Sequence, residues 1–140
     1  MKQKTQKFAV HTLFFLYIFV LLRLTVLRSG AFSHRLFSGR FNLTPGVAYM
    51  QLLSWGSYFH AFYLFFGNIV WFMPLGMYLR WQRLRFFACL LWGAACSLLI
   101  ETFQFILGSG ITETDDLLLN TCGAIIGALF FNLLQHIKRS

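Results

Sequence analysis

FFACLLWGAACSLLIETFQFILGSGITETDDLLLNTCGAIIGALFFNLL, residues 86–134, is the stretch on which the fold turns. Two apolar runs, each close to the roughly twenty residues that a bilayer span needs, flank a short polar turn carrying Glu113, Asp115 and Asp116. With Glu101, inside the first run, these are all four acidic residues of the chain. Runs joined so tightly read as an antiparallel helical hairpin within a membrane, where each backbone must satisfy its own hydrogen bonds.

Two more runs of spanning length lie upstream. Phe8 to Leu27 is interrupted by His11 and Arg23, and His60 to Leu79 contains Asn68 and Pro74. The expected spans are therefore 8–27, 60–79, 86–107 and 117–137, within one domain of residues 1–140. Composition agrees, with 58% hydrophobic and 11% charged residues, where a soluble domain carries about 25% charged. The eighteen Phe and four Trp exceed what a soluble core of this size buries, whereas lipid accepts them on the surface. The fold class that follows is all-α, an integral membrane four-helix bundle. Val47 to Phe59 mixes aromatic and polar residues, as interfacial segments do, and predicts a short outer helix between spans one and two.

The net charge of +8 raises nucleic acid as a partner. Its placement argues instead for the lipid bilayer, because the basic residues cluster between apolar runs, each contributing about 1 kcal/mol at an anionic leaflet. Lys2, Lys4, Lys7, Arg80, Arg83, Arg85, Lys138 and Arg139 fall on one side, and Arg28, Arg35 and Arg40 on the other. That bias predicts a cell-membrane protein with both termini cytoplasmic and the acidic turn outside. Lysines before an apolar run also describe a signal peptide. The length of the run and the weak site at Ser29-Gly30-Ala31 favour an uncleaved anchor.

A few residues resist an apolar explanation. Glu101 sits about 9 Å below the outer end of its helix, and Ser97 and Gln104 share its face. An ionisable side chain there costs roughly 2.5–3.5 kcal/mol on insertion, so it marks a candidate site. Asp115 and Asp116 suit a helix N-terminus, with Thr112 or Thr114 as the expected cap. Asn120 follows Asp116 by one turn, and Gly123-Ala-Ile-Ile-Gly127 predicts close packing of the fourth span on the third. Asn68 lies about 12 Å down the second span, where Pro74-Leu-Gly76 frees carbonyls and predicts a kink. Asn68, Glu101, Gln104, Asp116 and Asn120 therefore reach overlapping depths, and facing one another they form a polar pocket. His11 and His60 sit at span ends without clustered partners, and Cys89, Cys96 and Cys122 have no ligand spacing, so no metal site is assigned.

These positions together resemble the VanZ-like family of small bacterial membrane proteins. The likeness runs from about Arg40 to Gly127. It rests on Arg40-Phe-Asn42-Leu-Thr-Pro45, Asn68-Ile-Val-Trp-Phe72-Met-Pro74-Leu-Gly76, Glu101-Thr-Phe-Gln104, and Glu113-Thr-Asp115-Asp116 followed by Asn120, Gly123 and Gly127. Gly46 stands where many members have Phe, Glu113 where Asp is usual, and Gly110 where many carry an Arg. If that Arg pairs with the buried Glu in relatives, either another cation does so here or Glu101 is protonated.

The resemblance implies an envelope protein associated with reduced susceptibility to teicoplanin-type glycopeptides. On that expectation Glu101 and Asp116 form the candidate catalytic pair, because acid–base work needs a protonated carboxyl beside an ionised one. Arg40, Asn42, Asn68, Gln104, Glu113, Asp115 and Asn120 are the candidate binding residues for a lipid-linked cell-wall intermediate, Arg40 and Arg35 meeting its phosphate. Oxygen ligands leave room for a divalent cation, but the sequence names no cofactor. Two other classes compete: a non-enzymatic assembly subunit of an envelope complex, and a small transporter that works as an oligomer.

Overall fold

The computed structural model describes residues 2–27, 36–37 and 39–139. Arg28, Arg35 and the Ser29-Gly30-Ala31 site lie outside the described residues. Four helices are long and apolar enough to cross a membrane: α1 (Lys2–Thr25), α3 (Tyr58–Trp81), α4 (Phe86–Leu107) and α5 (Thr114–Ile137), with the short α2 (Val47–Ser54) between the first two. The all-α bundle with its extra helix is thus present. Two short strands, β1 (Arg40–Asn42) and β2 (Ile111–Glu113), which the sequence pattern did not announce, pair in parallel with Asn42 opposite Glu113.

Two helices begin earlier than their apolar runs. α1 begins six residues before the apolar run, and its basic first turns are helical. α5 begins at Thr114, which puts Asp115 and Asp116 in the first turn, where their charge opposes the positive helix end. Neither Thr112 nor Thr114 caps it. Glu113 takes the cap position with an extended backbone, and the Thr112 hydroxyl donates to the Glu101 carbonyl at 3.1 Å.

Small residues set the centre of the bundle. The Gly123–Gly127 step packs on α3, the second span, rather than on the third as its spacing had predicted. A Cβ at Gly123 would stand 2.3 Å from the Ile69 carbonyl oxygen, and one at Gly127 2.0 Å from that of Met73. Gly76 of α3 answers in kind, its Cβ position lying 1.7 Å from the Ala124 carbonyl oxygen. Glycine Cα–H groups therefore point at carbonyls across the interface, the weak donor contact that recurs where helices approach closely. α4 meets the other side of α5 through Gly93 against Ala124. α3 runs as one helix through Pro74.

α1 is the most loosely seated span, with Leu21 the one buried side chain among its described residues. Aromatic contacts tie it to α3. The Tyr17 hydroxyl donates to the Trp71 carbonyl at 2.6 Å, Phe14 stacks on Tyr78 at 3.6 Å, and His11 Nδ1 lies 2.8 Å from the Tyr78 hydroxyl. At the same end of the bundle, Arg80 donates twice to Asn132 Oδ1, at 2.8 and 3.0 Å, and lies over the Phe86 ring. Outward-facing aromatics such as Phe59 and Phe87, 86% and 70% exposed, fit a bundle surrounded by lipid.

At the opposite end, the chain after α1 folds over the end of α4. The amides of Phe37 and Gly39 donate to the Ile106 and Phe105 carbonyls at 2.8 and 3.2 Å, satisfying acceptors that a helix C-terminus leaves unpaired. A side chain at position 39 would not fit, because its Cβ would stand 2.5 Å from Phe105 Cα. Gly108, at φ 60°, turns the chain out of α4 in the left-handed conformation that a helix end favours. The strand pair follows from these two crossings, since both loops leave the bundle at this end and run side by side.

Candidate functional site

The strand end of the bundle encloses a cavity of about 340 Å³. Among the described residues, its polar lining includes Asn68 from α3, Glu101 and Gln104 from α4, Glu113 from β2, and Asp116 and Asn120 from α5. Thr25 of α1 and Tyr49 of α2 complete it. The floor is sealed from solvent: Glu101 is 3% exposed, Asn120 5% and Gln104 8%. The rim is different. Leu24, Tyr63, Leu64 and Trp71 line the gap between α1 and α3 and are exposed on the faces that lipid covers.

Each floor group is held by a neighbour. Glu101 Oε2 accepts the Glu113 backbone N–H at 3.1 Å, so the acid of α4 is anchored to the strand that leads into α5. Among the described residues, no Lys, Arg or His lines the cavity, and the partner given to the Glu101 carboxylate is that amide. Asn68 Nδ2 donates to Asp116 Oδ1, joining α3 to α5. Asn120 Nδ2 donates to Ser97 Oγ at 2.9 Å within the α4–α5 interface. Gln104 Nε2 donates to the Thr25 carbonyl at 3.2 Å, which fixes the orientation of the amide and leaves its Oε1 without a partner.

Three sequence-derived candidates stand outside the cavity. Asp115 accepts the Gly46 amide on both carboxylate oxygens, at 3.0 and 2.8 Å, and so pins the start of α2 to α5. Gly46 needs its left-handed backbone there, at φ 78°, which explains glycine at that position. Asn42 approaches Glu113 Oε1 at 3.5 Å from the paired strand. Arg40 is exposed on β1 and does not line the cavity. Arg35 lies outside the described residues. Among the described residues, no group of three or more His, Cys, Asp and Glu is placed to hold a metal ion.

Tyr49, Tyr63 and Trp71 are lining residues that sequence reasoning did not assign to the site, Tyr49 falling within the expected interfacial segment 47–59. Their spacing carries no signal that they meet the polar floor, because that depends on how α1 and α2 seat against α3. The Tyr49 hydroxyl is pushed up to about 12 by burial first and by the Asp116, Asp115 and Glu113 carboxylates next, with the Asn68 amide opposing. Because its folded pKa lies above the ordinary 10, its contribution to stability is complete below pH 10 and is lost as pH rises toward 12. Subtracting the tyrosinate absorbance titration of Tyr49→Phe from that of the wild type should reveal a late, high-pH component. A difference centred near the ordinary tyrosine value would mean that Tyr49 does not face the carboxylates.

The sequence model of the family described as VanZ/LLP1 matches residues 14–135 of the chain. No curated protein and no solved structure matches it.

Proposed function

From the premise that this chain belongs to the VanZ-like family and is a multi-pass membrane protein, we propose that its cavity receives the polar head of a lipid-linked cell-wall component from the outer leaflet. By this means it lowers susceptibility to teicoplanin-type glycopeptides. The observation that carries the proposal is the division of the cavity wall. A sealed floor of carboxyl and amide groups stands behind a rim of apolar and aromatic side chains facing lipid. A ligand with a polar head and an apolar tail matches both halves, and a water-soluble ligand matches only one. The basic clusters around Arg80 and the two termini support placing this end of the bundle outside.

In the catalytic form of the proposal, Glu101 and Asp116 divide acid and base work between a deeply enclosed carboxyl and one held by Asn68. The test is teicoplanin susceptibility of a sensitive host expressing wild type, Glu101→Gln or Asp116→Asn at equal protein levels. Wild type is expected to raise the inhibitory concentration and both variants to return it to the host value. Full protection by both variants would separate the cavity from resistance.

A further inference from the structure

We infer that the end of the bundle opposite the carboxyl cavity carries a second ligand site, which takes the phosphate of an anionic phospholipid from the leaflet on that side. This site stands apart from the function proposed above and does not depend on it.

Its cations come from three separate places in the chain, and the fold gathers them. Arg80 is in the last turn of α3, Arg83 lies in the turn to α4, and Arg139 follows α5. All three line one cavity of about 760 Å³, with Asn132, Gln135 and His136 of α5 between them. Every Asp and Glu of the chain belongs to the other end of the bundle, so the field here is positive. An arginine fork matches a phosphate on two oxygens, and basic pockets between membrane helices suit anionic head groups.

Two features separate this cavity from arginines that merely reach for the membrane surface. Arg80 is half-buried and held in place: its Nε and Nη2 donate to Asn132 Oδ1 at 3.0 and 2.8 Å, and its Nη1 donates to the Leu84 carbonyl. These contacts fix the guanidinium plane with three of its five N–H groups, and two remain for an anion. Arg83 stands at φ 65°, where the Leu84 amide donates back to the Leu79 carbonyl at 3.1 Å. Glycine is usual at such a helix end, because a side chain is strained there. An arginine at that position is explained by what its side chain meets, not by the backbone.

The carrier is a lipid, because an apolar groove of about 360 Å³ adjoins the cavity. Leu13 and Phe14 of α1 and Pro74 and Met77 of α3 line the groove, and Trp81 and Phe131 line both spaces. A head group seated on the arginines therefore has a path for an acyl chain along the seam between α1 and α3. Trp81 marks the depth at which indole rings meet the membrane interface.

The test titrates lipids into the full-length protein in neutral detergent and reads retained lipid by native mass spectrometry. The probes are dioleoyl phosphatidylglycerol, dioleoyl phosphatidylethanolamine and a neutral monoglycosyl diacylglycerol, with free glycerol 3-phosphate as competitor. Phosphatidylglycerol should be retained at least about tenfold more tightly than the other two, the worth of one charge-assisted contact. Arg83→Gly and Arg80→Gln should each weaken that retention about fivefold or more. Arg85→Gln removes the same charge from an exposed residue outside the cavity, and should change retention by less than about twofold. Arg83→Gly also suits the left-handed backbone, so it should unfold no earlier than wild type and decides the matter even where Arg80→Gln does not fold. Equal retention of phosphatidylethanolamine or the glycosyl lipid overturns the anionic ligand. A loss in Arg85→Gln as large as in Arg83→Gly would mean general attraction to an anionic surface, and overturns the site. Competition by glycerol 3-phosphate as strong as by the lipid overturns the lipid carrier.

Discussion

Gly76→Leu is expected to leave no folded protein to purify, and Gly123→Leu and Gly127→Leu to behave alike. Overpacking a core usually costs about 1–3 kcal/mol, because neighbouring side chains give way. Here the obstacles are the backbone carbonyls of Ala124, Ile69 and Met73, at 1.7, 2.3 and 2.0 Å from the Cβ positions, and a carbonyl in a helix cannot rotate aside. The α3–α5 interface must open instead, and the two helices would lose the seat that brings Asn68 to Asp116. The total stability of a domain is about 5–15 kcal/mol, so a separation on this scale removes most of it. Recovery of monodisperse protein after detergent extraction is the measurement. Gly67→Ala is the control, because nothing stands within 4 Å of that Cβ position; it should gain up to about 1 kcal/mol in helix propensity. Normal yields of all three leucine variants would show that α3 and α5 do not pack through these glycines.

Glu101→Leu and Glu101→Gln should separate in stability while agreeing in function. Glutamine keeps a side-chain oxygen that can accept the Glu113 amide, and leucine removes the acceptor from beneath it. An N–H left without a partner in a partly buried site costs about 1–3 kcal/mol, and this one ties α4 to the strand that opens α5. The leucine variant should therefore unfold at lower temperature than wild type and the glutamine variant close to it, while the proposed function requires both to lack teicoplanin protection. Equal midpoints for leucine and glutamine would mean that the amide contact carries no stability. Comparing the two variants separates loss of a carboxyl from loss of the local structure around it.

The expected polar cluster and its observed geometry agree where helical periodicity does the placing. Ser97, Glu101 and Gln104 lie three and four residues apart, so one face of α4 had to carry all three, and all three are buried. Asp116 and Asn120 are related in the same way on α5. Neighbouring helices are another matter. The Gly123–Gly127 step has the same spacing whichever helix it meets, and only the match with Gly76 selects α3. Thr112 and Thr114 were equally suitable caps by composition. The crossing of the first loop over α4 made this segment a strand, and the Thr112 hydroxyl turned to the Glu101 carbonyl. Asp115 and Asp116 are adjacent and chemically identical, yet one holds α2 through Gly46 and the other faces the cavity, because successive helical residues point about 100° apart.

The sequence by itself determined that four helices cross a membrane and that the acidic residues gather around the turn between the last two. Both follow from local causes: lipid demands long apolar runs with satisfied backbones, and a helix N-terminus accepts negative charge. Which of those acids share one enclosed space was decided only by the tertiary structure. That outcome depends on α1, α2 and the strand pair closing over α4 and α5, contacts between residues up to 79 positions apart, as between Thr25 and Gln104. Spacing along a chain places side chains on a helix face, but the partner of that face is chosen by packing.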